Sequence, residues 1–121
     1  MGRSSESKSA LYSCMGKNQE LGSLIDYSDD SIVSKTIVDT PAGTITLFAF
    51  DSGQKLSEHT APYNAVVQII EGTANLIIGG KSVKVPAGHV IIMPANVPHA
   101  VNAEEKFKML LTMIRAQPKA D

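Results

Sequence analysis

Two histidines carry most of the chemistry this chain can offer. His59 closes the segment Gly53-Gln-Lys-Leu-Ser-Glu-His59, and His99 closes the segment Gly88-His-Val-Ile-Ile-Met-Pro94-Ala-Asn-Val-Pro-His99. Imidazole titrates near neutral pH and ligates transition metals, so a pair brought together can move a proton, accept hydrogen bonds or hold an ion. Other reactive side chains are poorly placed for chemistry. Cys14 is the sole cysteine, which excludes an intramolecular disulfide and a thiolate metal cluster, and it lies in a polar leader where a nucleophile would be badly positioned. His89 and the Glu104-Glu105 pair read as solvated turn residues. No glycine-rich phosphate loop opens a helix, and no Gly-x-Ser-x-Gly frame presents a nucleophile.

The elements that must position the two histidines are short strands. Ile32–Val38 is rich in β-branched residues, and Asp39-Thr-Pro-Ala-Gly43 turns the chain into Thr44–Phe50, where Thr44 and Thr46 alternate with Ile45 and Leu47. Further strands are expected at Ala65–Ile70, Ala74–Ile78, Lys81–Val85, Val90–Met93, His99–Asn102 and Phe107–Ile114. Glu71-Gly72-Thr73 and Gly79-Gly80 both read as tight hairpins. Eight or more strands at short spacing, with no long helical pattern, imply an all-β sandwich or barrel.

Composition sets the outer bounds. The chain has 121 residues, enough for one domain, and a formal net charge of −1. Neither a basic patch interleaved with aromatics nor an apolar run near the ~20 residues of a membrane span is present, so no nucleic-acid or membrane partner is expected. No apolar signal-peptide core follows the start, and Glu6 stands where an N-myristoylation pattern wants Ser or Thr, so a cytoplasmic protein is expected. Residues 1–20 are Ser- and Lys-rich and read as a flexible leader, 21–115 as the single β-barrel domain, and 116–121 as a polar tail.

The two histidine blocks resemble the two signature motifs of the cupin family. In the first motif Gly53, His59 and Gly72 fall on the family spacing, while Ala61 stands at the second His position and Ala65 at the Glu position. In the second, Gly88, Pro94 and His99 match, Asn96 stands for a Gly, and Ala103 for an Asn, with Asn102 one residue early. The resemblance covers residues 32–114 and implies a jelly-roll barrel. It also implies a site that in the family is typically three His and one Glu around iron, manganese, nickel, copper or zinc. Here His59 and His99 are the remaining metal candidates, and the two alanines deplete the set. Strand alternation turns Glu58 and Gln68 away from the site, and Tyr63 and Asn64 lie in the intervening loop.

Trading ligands for alanines makes room for a modest organic ligand, with Ala61, Ala65, Val67, Met93, Met109 and Met113 as lining candidates. Three readings follow. The first is a small-molecule-binding module without a complete metal site, in which His59 and His99 are hydrogen-bonding or acid–base groups. The second is a metal-dependent enzyme, a dioxygenase or a sugar or keto-acid isomerase, using the same pair. The third is a structural or assembly homodimer, as the family commonly pairs through its sheets.

Overall fold

The computed structural model describes residues 10–115. Nine strands follow one another: β1 (Ile32–Thr40), β2 (Gly43–Phe50), β3 (Lys55–His59), β4 (Ala65–Glu71), β5 (Thr73–Ile78), β6 (Lys81–Pro86), β7 (Val90–Met93), β8 (His99–Asn102) and β9 (Phe107–Ile114). They form two sheets, one ordered β1-β2-β9-β4-β7 and the other β3-β8-β5-β6, with every pairing antiparallel. This is the expected all-β jelly roll. Among the described residues, no helix is long and apolar enough to cross a membrane.

The core lies between the sheets. Phe50 on β2 and Phe107 on β9 stack with ring centroids 4.6 Å apart, and Val67, Leu76, Val101 and Met109 fill the space around them. Burying these side chains at roughly 1.5–3 kcal/mol each is what drives the sheets together. β2 is apolar on both faces. Phe48 and Phe50 face the main core, whereas Leu47 and Ala49 face outward into a second cluster closed by Leu24, Ile25 and Tyr27. The segment around the 3-10 turn Leu21–Ser23 is thus a strap over the outside of the five-stranded sheet.

Two expectations need correction or completion. Gly79-Gly80 does close a hairpin, between β5 and β6. Glu71-Gly72-Thr73 does not: β4 pairs with β7 and β9, whereas β5 pairs with β6 and β8, so Gly72 is a corner at which the chain changes sheets. The corner runs against β9. Gly72 has φ +72°, and a Cβ there would collide with the Lys106 carbonyl and lie about 3.0 Å from the Phe107 Cβ, so only glycine fits. The expected flexible leader lies outside the described residues over 1–9. From residue 10 onward the chain is placed: Ala10 bridges Val38, Leu11 is buried, and the Leu11 N–H donates to the Ile37 carbonyl at 2.7 Å. The tail at 116–121 lies outside the described residues.

Candidate functional site: a histidine pair at the barrel mouth

β3 and β8 are neighbours in the four-stranded sheet, and their register sets His59 directly opposite His99. That pairing depends on an irregularity. Leu56 faces Val101 and His59 faces His99, so three steps on β3 match two on β8. A regular ladder would set Glu58 opposite His99. The bulge puts the imidazole there instead, a common use of an extra residue near a site. On β8, His99 shares a face with Val101, which belongs to the main core, so His99 projects into the barrel.

The rings meet edge to face, with centroids 4.4 Å apart and planes at 68°. His99 is buried, at 5 % exposure, and His59 is exposed. The pair is therefore half inside and half at the mouth. Each ring is fixed in the same way: His59 Nδ1 lies 2.9 Å from the Ser57 carbonyl and His99 Nδ1 3.1 Å from the Val97 carbonyl, in both cases two residues back. A carbonyl oxygen only accepts, so Nδ1 carries the proton in both rings. In the neutral form each Nε2 then bears a lone pair, ready to accept a proton, a hydrogen bond or an ion.

The remaining sequence candidates divide by place. Ala65, Val67, Met93 and Met109 belong to the buried core at 0–4 % exposure, and half-buried Met113 packs against it. Ala65 is the register partner of both Met93 and Met113, so these three sit side by side on the five-stranded sheet. Ala61 is half-buried in the loop after β3, its carbonyl accepting the Asn96 N–H at 2.8 Å. Asn96 takes φ +64°, which explains why the family motif carries glycine there and why asparagine is an acceptable replacement.

The loop residues weighed as substitute ligands have other duties. Asn64 Oδ1 accepts the Ala95 N–H at 2.8 Å, and Tyr63 lines a groove on the outside of the barrel with Val66 and Ile92. Gln68, Glu58 and His89 are exposed. What the sequence reading missed is the pair of orienting carbonyls, Ser57 and Val97. Side-chain identity carries no signal for them, because any residue supplies a carbonyl.

Residues 46–115 match the family described as the cupin domain. The chain is a cupin. Its fold superposes on a conserved protein of unknown function from Streptococcus pyogenes with a TM-score of 0.80, at 34% identity over 84% of this chain and 90% of that one. A cupin 2 conserved barrel domain protein from Leptotrichia buccalis gives a TM-score of 0.77 at 38% identity, covering 78% of this cupin and 46% of that chain. A cupin superfamily protein from Desulfitobacterium hafniense gives 0.76 at 25% identity over 79% and 88% of the two chains. No curated protein matches.

The residues of this cupin do not complete the family's three-His/one-Glu set. His59 and His99 supply two nitrogen donors, Ala61 and Ala65 supply none, and among the described residues no group of three or more His, Cys, Asp or Glu side chains could hold one ion. Each missing ligand removes both affinity and geometric selectivity.

Proposed function

We propose that this cupin binds a small organic molecule at the barrel mouth through the Nε2 atoms of His59 and His99, without a complete three-His/one-Glu metal site. The observation that carries the reading is the commitment of both Nδ1 atoms to backbone carbonyls, which leaves Nε2 as the acceptor on each of two rings 4.4 Å apart at the boundary between core and solvent. Such a pair suits a ligand that offers hydroxyl, enol or carboxyl protons. His99, buried and fixed, anchors the ligand, while exposed His59 exchanges protons with water.

The test is a thermal-shift screen of small hydroxy and keto acids, polyols and phenols against metal-free protein, with titration calorimetry on any hit. His99→Ala is expected to weaken a true ligand about tenfold or more, the worth of one well-placed hydrogen bond at the upper end of its range. A hit whose affinity is unchanged in both His99→Ala and His59→Ala would refute the reading.

One observation favours a second reading, a metal-dependent dioxygenase or isomerase. Imidazoles held by Nδ1–H bonds to carbonyls are oriented as metal-binding histidines usually are. Elemental analysis separates the two. About one equivalent of iron, manganese, nickel, copper or zinc in the wild type, absent from the His59→Ala/His99→Ala double variant, would establish the second reading.

A further inference from the structure

The pairing register continues past the two histidines. His59 lies opposite His99 on β8, His99 opposite Ile78 on β5, and Ile78 opposite Lys81 on β6. Together they make the last cross-strand row of the four-stranded sheet, since β3 ends at His59, β8 begins at His99, β5 ends at Ile78 and β6 begins at Lys81. The next row in is Leu56, Val101, Leu76 and Val83, which belong to the main core or pack against it. Residues two apart on a strand share a face, so Lys81, two before Val83, belongs to the same inner face as His99. Exposure follows the row: His59 and Lys81 at its ends are exposed, Ile78 is half-buried and His99 is buried.

The hairpin that carries Lys81 is held against the histidine block. The Gly79 N–H donates to the Pro98 carbonyl at 2.8 Å, and a Cβ at Gly79 would lie 3.4 Å from a Val97 γ-carbon. Val97 is also the residue whose carbonyl fixes the His99 ring. Lys81 and His99 therefore stand on one braced unit.

Lys81 has no counter-charge. Among the described residues, Lys84 pairs with Glu104 and Lys108 with Glu71, Lys35 and Arg115 donate to backbone carbonyls, and Lys17 and Lys106 lie over tyrosine rings. Lys55 and Lys81 alone make no such contact, and Lys55, opposite Asn102, is on the outer face. The row of Lys81 contains no carboxylate. At the same end of the barrel the five-stranded sheet offers Met93, Ala65 and Met113 in register, a row that continues through Thr44 to its one carboxylate, Asp39, on the edge strand β1.

Taking the histidine pair as a ligand site, we infer that its ligand is a small hydroxy acid or enolisable keto acid, whose carboxylate is received by the Lys81 ammonium while its hydroxyl or enol donates to His99 Nε2. Two strand spacings separate His99 from Lys81 by about 10 Å at the backbone, with Ile78 as the apolar floor between them. The flexible ammonium stem leaning over that floor closes the gap to the length of an acid of about three to six carbons. A charge-assisted bond is roughly twice as strong as a neutral one, so Lys81 selects the ionised acid over an uncharged analogue.

Titration calorimetry of the metal-free full chain with 3-hydroxybutyrate, 4-hydroxybutyrate, malate and 2-oxoglutarate, each beside its uncharged amide, tests this. At least one acid should bind about tenfold or more tighter than its amide, a preference that shrinks as salt rises from roughly 20 to 300 mM. Lys81→Met should lower that acid to the affinity of its amide, and Lys81→Arg should keep the preference. Lys55→Met, which removes the unpaired lysine of the outer face, should change nothing. Lys81 is exposed, so its variants should keep wild-type circular dichroism and melting. His99→Ala should weaken acid and amide alike, and that pattern separates the two claims. Ligands that need His99 but bind equally as acid and amide, or acids indifferent to Lys81→Met, overturn the role of Lys81 and leave the histidine site standing. No acid bound at about 10 mM, or binding indifferent to His99→Ala, overturns both.

Discussion

At the scale of single residues, the two histidines differ in what surrounds them rather than in how they are held. Both are pinned through Nδ1 to a carbonyl two positions back, so the orientation of each ring is fixed by its own backbone. The two alanines stand where the cupin motif carries a His and a Glu. Ala65 is 2% exposed and packs in the main core beside Met93 and Met113. A carboxylate placed there without a counter-ion would cost several kcal/mol, on the order of 3, because a buried charge needs a partner. A metal would supply that partner. The double substitution Ala61→His/Ala65→Glu, which restores the family ligand set, is therefore expected to melt well below the wild type when metal-free and to regain stability with zinc or nickel. Elemental analysis should find about one equivalent bound, against far less in the wild type. A restored variant that takes up no metal would show that the barrel mouth has lost the geometry as well as the ligands.

At the scale of elements, β-branched runs and turn residues located eight of the nine strands to within about two residues, because alternation and glycine placement are local properties. Pairing is not local. Gly72 and Gly79-Gly80 look alike in sequence, yet one switches sheets and the other closes a hairpin. The difference lies in which distant strands, β7 and β9 or β6 and β8, claim the flanking residues. The bulge in β3 was equally hidden: Lys-Leu-Ser-Glu-His contains no glycine to mark it, and only the facing Val101 and His99 reveal the extra residue. The corner makes a quantitative prediction. Gly72→Ala combines a left-handed φ with a collision against the Lys106 carbonyl and Phe107, so it should destabilise the protein by about 2–4 kcal/mol in urea unfolding. Gly80→Ala shares the positive φ but meets no atom within 4 Å, so its cost should stay near 1 kcal/mol. Equal losses at the two sites would mean that the contact with β9 adds nothing.

At the scale of the whole molecule, the barrel carries a second, thinner layer that sequence patterning left unread. Leu47 to Phe50 is apolar at every position, the mark of a strand buried on both faces, and the strap is what buries the outer one. Polar contacts clamp that strap. Buried Lys108 donates to the Gly22 carbonyl at 2.6 Å and to Glu71 at 3.3 Å, while the Tyr27 hydroxyl donates to the other Glu71 oxygen at 3.0 Å. Burial first, then the hydrogen bond to Glu71 and the nearby charges of Glu71 and Glu105, push the Tyr27 phenol well above its ordinary value near 10. The ammonium groups of Lys106 and Lys108 over the same ring, at 4.8 and 5.0 Å, do not reverse that direction. A phenol that keeps its proton longer when folded stabilises the fold only while the unfolded chain is protonated too. Its contribution is complete below pH 10 and is lost as pH rises through the raised value, because the unfolded chain then binds fewer protons. The strap should therefore loosen in alkali before the barrel does. Hydrogen exchange and urea midpoints measured from pH 8 to 12 should show wild-type stability falling above about pH 10 and the amides around Leu24 and Ile25 opening first. Tyr27→Phe, lacking the titrating group, should start slightly less stable and lose less over the same interval. Parallel curves for the two proteins would place the alkaline sensitivity elsewhere and remove Tyr27 from the clamp.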